Sequence, residues 1–230
     1  MSKAHVIAID GPSGSGKSTV AKQLAFELGL LYIDTGSMFR GLAYSTDANN
    51  IAMESGPQLI EFLNTCNLEY GKSKDELISI KGKNLTHIIR EHHVSKLASI
   101  ISQLPEVRNY LLDFQRNLVV KNLCVMEGRD IGTVVFPDAF CKIFITASVD
   151  IRANRRLKQL KEQGNEDVTL EQVIADVKKR DDSDINRTVA PLKQADDALL
   201  LDTSDLNLDQ ILEKLKTIVS DKALQTGINL

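Results

Sequence analysis

The sequence predicts an α/β protein built on a parallel sheet with helices on both faces. Three observations carry that prediction. Five short apolar runs rich in Val, Ile and Leu recur along the chain, helical patterns separate them, and the first run passes through a glycine-rich turn directly into a helix. Alternating strands and helices build parallel sheets because each parallel neighbour needs a crossover, and a strand covered on both faces reads as continuously apolar. The runs are "HVIAI" (5–9), "LLYID" (30–34), "LCVME" (123–127), "KIFITA" (142–147) and "ALLLD" (198–202).

After the first run, Val20, Ala21, Leu24, Ala25 and Leu28 recur at helical spacing and Gly29 offers a left-handed stop, which predicts a helix over 17–28. Residues 40–122 are too many for one crossover. Within them "NLEYGKSKDELISIKGKNL" (67–85) places Tyr70, Leu77, Ile78 and Ile80 among polar turns, which predicts a small antiparallel hairpin or meander inserted between helices. The charged stretch 161–187 is expected to form a lid. Leu208, Ile211, Leu212, Leu215, Ile218 and Val219 share one helical face, which predicts a closing helix with a tail from 220 that frays.

The bulk numbers exclude several classes. The 230 residues suit one α/β domain with insertions. A formal net charge of −3 and a pI near 5.8 favour neither nucleic acid nor an anionic membrane as partner. The start of the chain lacks a charged and apolar leader, and no run approaches a membrane span, so a cytoplasmic protein is expected. Cys66, Cys124 and Cys141 are odd in number without metal-ligand spacing and read as reduced core thiols. His5, His87, His92 and His93 show no catalytic spacing.

"GPSGSGKST" (11–19) fills every fixed position of the phosphate-loop pattern G-x-x-x-x-G-K-[ST], between a strand and a helix where that pattern has meaning. Gly11, Pro12, Ser13, Gly14, Ser15, Gly16, Lys17, Ser18 and Thr19 are therefore the ATP-binding candidates. Gly11, Gly14 and Gly16 let backbone N–H groups turn onto a β-phosphate, Lys17 bridges β- and γ-oxygens, and the Ser18 hydroxyl can ligate Mg²⁺. The loop alone fits a kinase, a GTPase switch or a motor ATPase. No Asn-Lys-x-Asp guanine reader is present, and Glu127 stands at the third strand where a motor would carry a metal-associated Asp.

A kinase whose acceptor is itself phosphorylated must screen two repelling phosphates while excluding water, which calls for several arginines. The chain supplies them in clusters: Arg40 after the second strand, Arg129 after the third, Arg152, Arg155 and Arg156 after the fourth, and Arg180 and Arg187 around "DDSDIN". Taken singly, the three in 152–156 read equally well as a solvated helix face. Arg40 and Arg129 differ, lying just beyond the carboxyl ends of predicted parallel strands, where open α/β sheets bind ligands.

Together "IDGPSGSGKSTVAKQLA", "DTGSMFRGLA", "EGRDIGTVVFPDA" and "RDDSDINRTVAPL" resemble the bacterial-type cytidylate kinases over residues 4–220. The resemblance implies a P-loop nucleoside-monophosphate-kinase fold with a five-stranded parallel core (1–39, 94–150 and 188–230), an NMP-binding arm carrying the antiparallel insert (40–93), and a lid with flanking helices (151–187). It implies in-line transfer from ATP to CMP or dCMP with Mg²⁺, by a monomer. Carried over by position, Ser13, Thr35, Arg40, Ser99, Arg108, Arg129, Asp130, Arg180, Asp184 and Arg187 would bind CMP, and Lys17, Arg129, Arg187, Arg155 and Arg156 would carry catalysis. Phe39 and Ser37 depart from the Tyr and Ala usual in the family, and Glu127 from a common Asp.

Chemistry agrees with the base assignment. Cytosine offers an N4 amino donor beside N3 and O2 acceptors, so it needs an acceptor such as Asp130 or Ser99 and a donor such as Arg108. Uracil would turn its O4 on the Asp130 carboxylate with no hydrogen to share. The rival readings are a phosphate-loop kinase for another acceptor, such as shikimate or dephospho-coenzyme A, and a nucleotide-binding regulatory ATPase. The Ser99, Arg108 and Asp130 set argues against the first, and the missing guanine reader and acidic pI against the second.

Overall fold

A computed structural model describes residues 4–73, 75–119, 122–162 and 164–230. Residues 1–3, 74, 120, 121 and 163, which fall in the segments expected to form the core, the arm insert and the lid, lie outside the described residues. The chain forms two compact units. One holds the chain up to Asp34 and from Leu118 onward; the other holds Thr35–Asn117.

The first unit contains β1 (Ala4–Asp10), α1 (Lys17–Leu28), β2 (Leu31–Asp34), β6 (Cys124–Gly128), β7 (Ala139–Thr146), α6 (Val149–Glu162), α7 (Leu170–Asn186), β8 (Leu199–Asp202) and α8 (Leu208–Thr226). Its five strands are parallel in the order β2-β6-β1-β7-β8. All five expected strands are present, with β7 beginning three residues earlier than its apolar run suggested. Register explains where the chemistry gathers: Asp10 pairs with Gly128, Asp34 with Glu127, and Thr146 with Asp202. Each apolar run thus ends in polar residues at the same edge of the sheet, where the strands leave the core.

The core beneath that edge joins Ile7, Ile9, Leu24, Val125, Ile143 and Ile145 to Leu212, Leu215 and Val219 of α8. Each such side chain contributes about 1.5–3 kcal/mol relative to exposure. The tail expected to fray is helical as far as Thr226. Ala223 is buried one turn beyond Val219, an Asn207–Gln210 capping box starts the helix, and Gly227 closes it at φ 69°. The charged 161–187 stretch likewise contains a regular helix, α7, because Val173 and Val177 pack on Ala153 and Leu160 of α6 and Thr169 with Gln172 forms a capping box.

The second unit contains α2 (Thr35–Ala48), α3 (Pro57–Thr65), β3 (Leu68–Tyr70), β4 (Ile78–Ile80), β5 (Lys83–Asn84), α4 (His92–Ile101) and α5 (Pro105–Asn117). The 67–85 insert is a three-stranded antiparallel meander in the order β3-β4-β5. α4 packs along α2, and α5 on α3, so residues 35–39 and 94–117, placed with the core in the sequence division, fall in the same compact unit as 40–93. No helix among the described residues is long and apolar enough to cross a membrane.

Candidate active site

The phosphate loop leaves β1 at Gly11, whose φ is 147°; a Cβ there would collide with the Ile145 carbonyl oxygen of β7. Glycine is what lets the loop lie against the neighbouring strand. Lys17 opens α1 and is 4% exposed; its Nζ donates to the Pro12 carbonyl at 2.7 Å and to Ser15 Oγ at 3.4 Å. Burial lowers the Lys17 ammonium below its ordinary pKa, and Arg129 lowers it further, against the opposing pull of Glu127, Asp10 and Asp184. A bound phosphate would favour the charged form of an ammonium group that burial in the loop disfavours. Ser18 and Thr19 are exposed at the start of α1.

Glu127, at the end of β6, is 4% exposed and its Oε1 accepts from Tyr32 Oη at 2.8 Å. Burial raises its carboxyl pKa and Asp34 on the adjoining strand raises it further, while Lys17 and hydrogen bonds from Ser18 and Tyr32 pull it down. Two carboxylates and one serine hydroxyl are thereby gathered beside Lys17. This oxygen-only set suits a hard cation such as Mg²⁺ better than a softer metal. Among the described residues no group of three or more His, Cys, Asp or Glu side chains could hold a metal alone, so a cation here would need ligands from phosphate and water.

The β6–β7 connection continues through Arg129 and Asp130 into a π-helical turn, Ile131–Val135. Arg129 Nε donates to Asp184 Oδ2 of α7 at 3.0 Å, while Arg187 Nη2 of the same helix end donates to Asp130 Oδ1 at 3.3 Å. Arg187 also lies 3.6 Å from Asp184. These crossed pairs bring four of the expected acceptor residues into one cluster. Burial of Asp184 opposes its charge but is outweighed by Arg129, Arg180 and Arg187, which hold its carboxyl below the usual range. Burial likewise opposes the Arg129 charge, and Asp184 outweighs it. Arg180 therefore belongs to the same electrostatic cluster.

The three arginines of α6 separate. Arg152 is 4% exposed and forms a fork with Asp181 of α7 at 3.0 and 2.7 Å. It also donates to the Ala147 carbonyl at 2.9 Å and to the Ser13 carbonyl of the phosphate loop at 3.1 Å. A solvated-face reading fails for it: it ties the loop to α7, and breaking such a buried pair costs about 3–5 kcal/mol. Arg155 donates to the Ser15 carbonyl at 3.2 Å and to the Thr203 carbonyl at 2.9 Å, which brings it to the phosphate loop. Arg156 is partly exposed and donates to Gln159 at 2.8 Å.

In the second unit Thr35 is buried at the start of α2 and Arg40 lies one turn and a half further along. Ser99 and Arg108 are each bonded to Ser102 at the α4–α5 turn. The Ser99 carbonyl accepts from Ser102 Oγ at 3.1 Å, and Arg108 Nη1 donates to the Ser102 carbonyl at 3.1 Å. The Arg108 guanidinium lies 5.4 Å from the centroid of the Phe39 ring. The missing tyrosine hydroxyl therefore leaves the stacking face in place.

Asp10 and Asp181 are among the participants that escaped the sequence reading. Asp10 is buried at the foot of the loop, and Asp181 is the partner of Arg152. A carboxylate closing the apolar run "HVIAID" was the available signal for Asp10. Nothing in the charge run 178–187 singled out Asp181.

Comparison with known proteins bears on the whole chain. The profile of the family described as cytidylate kinase matches residues 7–221. Cytidylate kinases of Streptococcus pneumoniae strain Hungary19A-6 and serotype 19F strain G54 are each 43% identical over 216 residues, covering 93% of this chain and 96% of theirs. A shikimate kinase structure from Bacteroides thetaiotaomicron aligns over 94% of this chain and 98% of its own, at 11% identity and a TM-score of 0.46, a likeness too remote to speak to the acceptor. With the phosphate loop, the Arg129–Asp184 and Arg187–Asp130 pairs and a family match spanning almost every residue, this chain belongs to the cytidylate kinase family.

Proposed function

We propose that this protein transfers the terminal phosphoryl group of ATP to CMP or dCMP by direct in-line displacement, giving ADP and CDP or dCDP. The observation that carries the reading is the cluster of Arg129, Asp130, Asp184 and Arg187 at the same sheet edge as the Lys17 loop. The loop backbone and Lys17 hold the ATP phosphates, and Ser18, with Asp34 and Glu127 behind it, would hold Mg²⁺ delivered with the nucleotide. The cation's contribution is to neutralise charge on the β- and γ-oxygens.

The chain's own residues do the rest. Arg129 and Arg187 screen the two phosphates from one another, Arg155 and Arg156 complete that set from α6, and Ser13, Thr35 and Arg40 hold the acceptor phosphate. Arg180 and Asp184 take the ribose hydroxyls. Ser99, Arg108 and Asp130 read cytosine, with Asp130 accepting from the N4 amino group. No covalent enzyme intermediate is needed, because an arginine-screened acceptor oxygen can attack the γ-phosphorus directly. The enzyme is read as a cytoplasmic monomer, and the buried free cysteines fit that compartment.

An ADP-release assay across CMP, dCMP, UMP, AMP and shikimate tests the reading. CMP and dCMP should exceed UMP in kcat/KM by on the order of 10²-fold or more, with AMP and shikimate near background. Shikimate turnover matching that of CMP, or ADP release indifferent to acceptor, would overturn it.

A further inference from the structure

Asp10 has no role in the reading above, yet it is 5% exposed and sits where β1 enters the phosphate loop. Its two oxygens are both engaged by one short stretch of backbone. Oδ1 accepts the Ile131 N–H at 2.9 Å and Oδ2 accepts the Gly132 N–H at 2.7 Å. These are the first two amides of the π-helical turn that follows Asp130 directly. Within that turn the Asp130 carbonyl accepts from Val134 at 2.9 Å and Val135 at 3.1 Å. The turn's own hydrogen bonds thus begin at Asp130, and its leading N–H groups are satisfied by Asp10.

Only a carboxylate can accept from both amides at once. An Asn in the same place has one acceptor oxygen and would present an NH₂ to the second N–H. The far side of the turn is closed as well. A Cβ on Gly132 would lie 3.1 Å from Lys142 Cδ and 3.4 Å from Asp10 Oδ2, so the turn is wedged between the two side chains. Lys142 is itself fixed, its Nζ donating to the Pro137 carbonyl at 2.6 Å and to Asp197 at 2.8 Å.

This arrangement has an electrostatic cost. Burial pushes the Asp10 carboxyl up to about 6, the charge of Asp130 adds to the rise, and the two amides and Lys17 only partly offset it. A fold that needed only a filled space at this position would do better with a neutral side chain.

We propose that Asp10 is a positioning residue for cytosine selection: it pins the turn behind Asp130 to the strand that carries the phosphate loop, and so fixes the base-reading carboxylate relative to the donor site. The proposal rests on the reading of Asp130 as the acceptor for the cytosine N4 amino group.

The test compares kcat/KM for CMP and for UMP, together with KM for ATP, in wild type, Asp10→Asn, Asp130→Asn and the double variant. In Asp10→Asn the CMP/UMP ratio should fall by about tenfold or more, since small displacements of a recognition group carry large penalties. KM for ATP should stay within about twofold. The double variant should lose no more selectivity than Asp130→Asn alone, because both act on one contact. If Asp10→Asn does not fold, Asp10→Glu decides: it keeps both acceptors but displaces the turn by about one methylene, and should narrow the ratio. An unchanged ratio in the folded Asp10 variant, or a raised KM for ATP without loss of selectivity, overturns the proposal while the reading of Asp130 stands. An unchanged ratio in Asp130→Asn overturns that reading and the proposal with it.

Discussion

Replacing Lys17 by Met should lower kcat by on the order of 10³-fold at saturating ATP and CMP while leaving the fold intact. The methionine keeps most of the buried stem and removes only the ammonium group. That ammonium lies inside the loop, 4% exposed, with the Pro12 carbonyl at 2.7 Å as its close partner. Its burial disfavours the charge, so removing it should not cost the folded state its stability. What disappears is the cation that offsets charge on the transferring group. Glu127 and Asp10 also lose a nearby positive charge, so their carboxyl pKa values should rise further. Steady-state kinetics with a circular dichroism check of folding measure this. A folded Lys17→Met enzyme within tenfold of wild-type kcat would remove the loop lysine from the chemistry.

Asp130→Asn should act on a different quantity. Its expected effect is on choice, with the ratio of kcat/KM for CMP over UMP narrowing by on the order of 10²-fold. Asp130 is 5% exposed and pairs with Arg187 at 3.3 Å, so its carboxylate is oriented before any base arrives. Facing cytosine, it accepts from the N4 amino group; facing uracil, it meets O4, an acceptor with no hydrogen to share. The amide of Asn can donate to O4, so UMP should gain while CMP loses. Parallel titrations of the two nucleotides at fixed ATP provide the ratio. A ratio equal to that of wild type, in a folded variant, would assign cytosine selection elsewhere.

Much of the fold was legible because it is local. Strands β1, β2, β6, β7 and β8 announce themselves as apolar runs, and α1 begins at Lys17 and ends at Leu28, where the helical spacing and Gly29 place it. Residues with generic local signals were harder. The tail after Val219 looks polar in "SDKALQTGINL", yet buried Ala223 and the Gly227 cap carry α8 on to Thr226. Nothing in "HHVSKLASII" says that it packs on α2, so the sequence division at residue 93 does not coincide with the compact unit Thr35–Asn117.

The candidate site shows the same division. The phosphate loop is a contiguous motif, so all of its residues could be named in advance. Asp10 and Ile131 are far apart in the chain and meet only because β1 and β6 are parallel neighbours with Asp10 opposite Gly128. Residue spacing left Arg152, like Arg155 and Arg156, evenly divided between a solvated face and the site; its bonds to Asp181, Ala147 and Ser13 decide it. Hydrogen-bond partners set by tertiary register leave no trace in residue spacing.

The most direct measurement follows the ³¹P NMR spectrum of ATP and CMP mixed with the enzyme and Mg²⁺. CDP and ADP should appear in equal amounts with no inorganic phosphate released, because the γ-phosphoryl group passes to the CMP phosphate and not to water. Inorganic phosphate accumulating in step with ADP, with CMP left unchanged, would contradict a transfer between two nucleotides.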